Sequence, residues 1–134
     1  MKVLVIHGPN MNLLGSFSKN RLTLDKLNRS IRKLARAKDF EYKIFQTHDE
    51  ARVITLLQRN RNKVDGIIIN LGPWHMSSSI IKDTLSIIKT PYLIVEQSDQ
   101  SKEYIENTIF NKKNIINSSD IEQSYIKSLN QLVG

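Results

Sequence analysis

Five short apolar runs alternate with segments of helical period along this 134-residue chain, and that alternation constrains the fold more than any other feature. KVLVIH (2–7), closed by Gly-Pro, has the length and content of a buried strand. EYKIFQ (41–46), VDGIIIN (64–70), PYLIVEQ (91–97) and KNIIN (113–117) repeat the signal. Between them lie amphipathic stretches. Leu24, Leu27, Ile31 and Leu34 form one helix stripe behind Thr23, a predicted N-cap. Val53, Ile54 and Leu57 form a second, and Ile81, Leu85 and Ile88 a third behind Ser caps. SKEYIEN (101–107) reads as a short helix. Ile121, Tyr125, Leu129 and Leu132 mark the last helix, where Ser119 and Glu122 have capping-box spacing. Strict β-α alternation implies an all-parallel sheet covered on both faces. The predicted fold is therefore α/β, flavodoxin-like and three-layered, with five strands in the order 2-1-3-4-5 and one domain over residues 1–134.

In that order the ligand crevice lies beyond the carboxyl ends of strands 1 and 3. Here those ends are HGPN and NLGPWHM. Gly8 and Gly72 let backbone approach a ligand closely, and Asn10, Asn12 and Asn70 offer uncharged donors and acceptors. The same residues also make ordinary turns. Neither G-x-x-x-x-G-K-[ST] nor G-x-G-x-x-G is present, so nucleotide binding has no sequence signal.

Composition narrows the rest. Cysteine is absent, which removes disulfides and thiolate metal sites. No apolar run approaches the roughly 20 residues of a membrane span. MKVLVIHGPN reads as a first strand rather than a signal peptide, so a cytoplasmic protein without a membrane partner is expected. The net charge of +7 suits an anionic partner, although a Lys-, Asn- and Ile-rich composition produces such a charge without one. Aromatic residues are not interleaved with basic ones on the strands, so a nucleic-acid stacking platform is not expected.

The loops carry a further signal. GPNMNLLG (8–15) and DGIIINLG (65–72), with FQTHDE (45–50) and IIKDTL (80–85), resemble the type II 3-dehydroquinate dehydratases. That family has Gly-Pro-Asn-Leu-Asn-x-Leu-Gly after its first strand and Asp-Gly-x-x-x-Asn-Pro-Gly at the end of its third. Met11 and Leu71 are the departures from those two motifs. The resemblance implies a shikimate-pathway hydro-lyase that removes water from 3-dehydroquinate through an enolate, without metal or cofactor. It implies a homo-oligomer, a trimer or a dodecamer of four trimers, taking a small hydroxylated carboxylate. By the same resemblance Asn10 and Asn70 hold the enolate side of the ligand, with Gly72 beside them. Asp83 is either contributed across a trimer interface or an ordinary solvated helix charge, and Gln97 and Ser98 form the carboxylate-binding turn after strand 4.

The reacting groups depart from the family. Its lid, Thr-Arg-x-Pro-x-x-Tyr-Gly, becomes the shorter GSFSKNRLTL (15–24), with Phe17 at the Arg position and no Tyr. Arg21 is the substitute cation in that segment. Glu96 occupies the position of the His that protonates the leaving hydroxyl. Met76 occupies that of the second His, with His75, the candidate substrate-binding residue in its stead, one residue early, a displacement that turns a helical side chain by roughly 100°. His48 and Asp49 stand where Asn and His are expected, and His48 reads as a loop residue. Three functions stay open at this point: a working dehydratase rebuilt on other residues, an enzyme redirected to another small hydroxylated acid, or a non-catalytic binding protein. Convergence of Glu96 and His75 in an open crevice would favour the second. A crevice filled by Phe17, Trp74 or Met76 would favour the third.

Overall fold

A computed structural model describes residues 1–99 and 101–134. Five parallel strands, β1 (Lys2–His7), β2 (Glu41–Gln46), β3 (Gly66–Ile69), β4 (Tyr92–Gln97) and β5 (Ile115–Ser118), form one sheet in the order β2-β1-β3-β4-β5. The predicted order is therefore the observed one. Helices α1 (Leu24–Lys38), α2 (Glu50–Asn60), α3 (Trp74–Ser77), α4 (Ser79–Ile88), α5 (Lys102–Glu106) and α6 (Ile121–Val133) connect or follow the strands.

The pleat divides the core in two. Val3 and Val5 of β1 face one way and join Leu27 and Ile31 of α1 and Tyr125 and Leu129 of α6. Leu4 and Ile6 face the other way and join Val53 and Leu57 of α2 and Ile81 and Leu85 of α4. Each such Leu or Ile contributes about 1.5–3 kcal/mol by leaving water. Together they fix the register, because a slip of one residue would exchange the two faces.

The helix ends follow side-chain chemistry. Thr23 accepts a hydrogen bond from the Lys26 N–H, as predicted. Ser78 accepts from the Ile81 N–H and starts α4, which the short α3 precedes. At α6 the cap is Asp120, which accepts from the Glu122 N–H, and not Ser119. A carboxylate two residues ahead of an N–H reaches it more directly than the hydroxyl one residue further back. Residues 113 and 114, expected in the fifth strand, belong instead to a 3-10 turn over Lys112–Asn114. The Asn111 side chain caps that turn by accepting from the Lys113 N–H.

Candidate active-site crevice

Beyond the ends of β1, β3 and β4 lies an open crevice of about 380 Å³. Two glycines shape it. A Cβ on Gly8 would sit 2.3 Å from the Asn70 carbonyl oxygen, so only glycine lets the β1 and β3 ends approach this closely. Gly72 turns the chain with φ +53° at the entry to α3. Asn10 also lies in the left-handed region, φ 69°, which asparagine tolerates better than most residues. The segment after it folds as a 3-10 turn over Met11–Ser16 and brings Leu14 and Phe17 to the crevice wall.

Glu96 is the electrostatic centre of the site. It is the next-to-last residue of β4 and is 1% exposed. Its Oε1 accepts from the Leu71 N–H at 3.3 Å, the Gly72 N–H at 3.2 Å and His75 Nε2 at 2.9 Å. Its Oε2 accepts from Asn70 Nδ2 at 3.2 Å and Ser101 Oγ at 2.8 Å. Two carboxylate oxygens offer about four lone-pair sites. Five donors therefore leave no free edge for a ligand proton without displacing one of them. His75 is itself fully buried, with Nδ1 2.7 Å from Thr108 Oγ1 and its ring edge-on to Phe110.

Below the crevice, His7 is buried between two partners. Nε2 lies 2.7 Å from Asn28 Oδ1, an acceptor, so Nε2 carries the hydrogen and Nδ1 accepts from the Tyr125 hydroxyl, also at 2.7 Å. Burial lowers the His7 pKa from 6.5 to about 4, partly offset by the Asn28 bond. Burial, reinforced by the charge of Glu96, raises the Tyr125 phenol well above its usual 10.

Of the residues singled out by sequence, Asn10, Asn70, Gly72, Glu96 and Gln97 line the crevice together. The others stand elsewhere. His75 lies behind Glu96 and holds it, rather than facing the crevice itself. Arg21 is exposed on a 3-10 turn (Lys19–Arg21), outside the lining. Ser98 turns toward β5, where its Oγ donates to Asn117 Oδ1 at 2.7 Å. Asp83 is exposed on the outer side of α4, away from its own chain's crevice. His48 is exposed. Of the three side chains considered as plugs, only Phe17 lines the crevice, and the crevice stays open beside it. Sequence reading passed over Ser101, Tyr104 and Thr108. The first two line the crevice and the third supports His75. Among the described residues no group of three His, Asp or Glu side chains is placed to hold a metal ion, and no helix is long and apolar enough to cross a membrane.

The model of the class II dehydroquinases matches residues 1–130, almost the whole chain. The chain belongs to the class II dehydroquinase family. Its relatives include the 3-dehydroquinate dehydratases of Geotalea daltonii, 35% identical over 102 residues, and of Thermotoga neapolitana, 37% identical over 102 residues. These alignments span 74% of this chain, with 71% and 69% of the respective relatives. The type II dehydroquinase of Butyrivibrio crossotus superposes with a TM-score of 0.86 and 26% identity, over all of this chain and 98% of that one. A 3-dehydroquinate dehydratase-like protein from Bifidobacterium longum shares the fold, with a TM-score of 0.69 at 18% identity. Against the family motif, Leu71 stands in place of a proline, and it is the Leu71 N–H that donates to Glu96. Proline has no N–H to give.

Proposed function

We propose that this dehydroquinase-family protein binds a small hydroxylated ring compound in the crevice, and that it does not dehydrate 3-dehydroquinate with the family's residues. One observation carries the reading. Glu96, at the position of the leaving-group acid, is held by Leu71 at the position of a proline and by His75 at a position the family does not use. Three departures thus meet in a single hydrogen-bonded cluster, the pattern of a site rebuilt rather than eroded. A general acid or base contributes about 10²–10⁴-fold. Absence of the lid Tyr and Arg, with the His replaced by a carboxylate whose lone pairs are taken, removes several such factors together. The retained Asn10, Asn70 and Gly72 and the open crevice support continued binding.

The 2.9 Å contact of His75 with Glu96 does not favour a redirected enzyme in which this pair handles a proton of another substrate, because His75 lies behind Glu96 and the Glu96 lone pairs are taken. Family membership and an outward α4 face bearing Ile80, Ile87 and Asp83 support a homo-oligomer, a trimer or a dodecamer of four trimers, working in the cytoplasm.

The test is turnover of 3-dehydroquinate by the purified protein, followed by enone absorbance beside an Asn10→Ala variant and an ordinary family dehydratase. Absorbance change no faster than in the Asn10→Ala variant is expected. Turnover that this substitution abolishes would overturn the proposal, and Glu96→Gln would then show whether the Glu96–His75 pair has taken over the chemistry.

A further inference from the structure

The net charge of +7 is not spread evenly over the chain. Helix α1 (Leu24–Lys38) holds Lys26, Arg29, Arg32, Lys33, Arg36 and Lys38 against one acidic residue, Asp25, and so carries most of that excess on a single element. A basic composition alone would scatter it. All six basic residues are exposed, and among the described residues none of them forms an ion pair. Steps of three and four residues put Lys26, Arg29, Lys33 and Arg36 in one row along the helix, with Arg32 beside it. The row runs for roughly 15 Å, with a cation at intervals of about 4.5–6 Å.

The fold keeps this row open. Leu27, Ile31 and Ala35, on the opposite side of α1, are buried in the core that α6 also joins. The exposed positions of α6 are Gln123, Lys127, Asn130 and Gln131, none of them acidic. Helix α4, with exposed Ile80 and Ile87, covers the other face of the sheet. Assembly through α4 therefore leaves α1 outside, and like charges oppose contact between two α1 faces.

The partner that fits such a row is a polyanion, and the helix narrows its kind. A helix that lies on a membrane sinks an apolar face into the lipid. The apolar face of α1 is already spent in the core, and Ala37 is the one apolar residue at its exposed positions. A straight, evenly spaced row of cations instead matches the regular phosphates of a nucleic-acid duplex, where each contact releases a condensed counterion. We infer that the outer face of α1 binds the sugar-phosphate backbone of double-stranded DNA. Lys26, Arg29, Lys33 and Arg36 supply the contacts. The helix has no aromatic residue to stack on bases, so the binding is electrostatic and does not read sequence.

Fluorescence anisotropy of a labelled DNA duplex titrated with the intact protein tests this. The expected Kd is about 10⁻⁴–10⁻⁶ M at physiological salt, equal for two unrelated sequences. Between about 50 and 200 mM salt, log K should fall against log [salt] with a slope of about −3, as for three or four phosphates neutralised. Arg29→Glu with Lys33→Glu should weaken binding, and Arg29→Gln with Lys33→Gln should make the slope shallower by about two. Lys112→Glu with Lys113→Glu changes the net charge as much as the first pair, on the turn before β5, and should leave the slope as it is. No saturable binding at about 50 mM salt, an equal loss in the Lys112 and Lys113 variant, or tighter binding to phosphatidylserine-rich vesicles than to the duplex would overturn the inference. None of these readouts involves the crevice, so they stand apart from the turnover assay.

Discussion

Leu71 and Glu96 show how one backbone hydrogen can decide what a neighbouring position tolerates. A buried carboxylate needs donors, and the 3.3 Å bond from the Leu71 N–H exists only because residue 71 is not proline. Leu71→Pro should therefore cost about 1–3 kcal/mol in urea unfolding, the price of a buried acceptor deprived of a donor. Glu96→His on that background should recover part of the loss, with a coupling of about 1 kcal/mol in a double-mutant cycle. Strict additivity would break the link between the two departures. His75 acts on the same carboxylate from behind. Removing it by His75→Ala takes away one of the five donors and should destabilise the fold by about 1–3 kcal/mol, read from the urea midpoint at constant m.

At the level of elements, His7 ties three of them together: it ends β1, contacts Asn28 of α1 and accepts from Tyr125 of α6. Burial keeps it neutral. Below pH 6.5 the unfolded chain takes up a proton at this imidazole, whereas the folded chain does so only near pH 4. Stability present above pH 6.5 is therefore lost as pH falls through that window, by roughly 3 kcal/mol at its lower end. Thermal unfolding between pH 7 and pH 4 should show this slope, and His7→Gln should flatten it. An unchanged slope would assign the acid sensitivity to other groups. The element level also shows what local pattern conveyed. Stripes such as Leu27–Ile31 and Ile81–Leu85 face the core because a 3.6-residue period leaves them no other packing. The α6 cap moved from Ser119 to Asp120 because neighbouring Ser and Asp residues compete for one N–H, and spacing alone does not rank them.

For the whole molecule, the open question is what covers α4. Ile80 and Ile87 are 52% and 69% exposed on its outer side, beside Asp83. A family member with such a face is expected to assemble. Light scattering after size exclusion should give a trimer or dodecamer mass, and Ile87→Lys should shift it toward the 15.5 kDa chain. A monomer from the unmodified protein would remove Asp83 from any ligand site, because within its own chain it lies away from the crevice.

The sequence by itself determined the strand order, the two-sided core and the loops that meet at the switch point, because period and turn chemistry are local and five parallel strands leave few arrangements. It also placed Asn10, Asn70 and Glu96 near one another, through motif position. Only tertiary structure decided what they do there. Side-chain direction at the end of β4, the entry angle of α3 that sets His75 on Glu96, and the burial of Gln97, whose Nε2 has no partner among the described residues, all depend on residues distant in the chain. Arg21 and Ser98 make the same point in reverse: their types suited a ligand, but the backbone of the turn and the pairing with β5 direct them elsewhere.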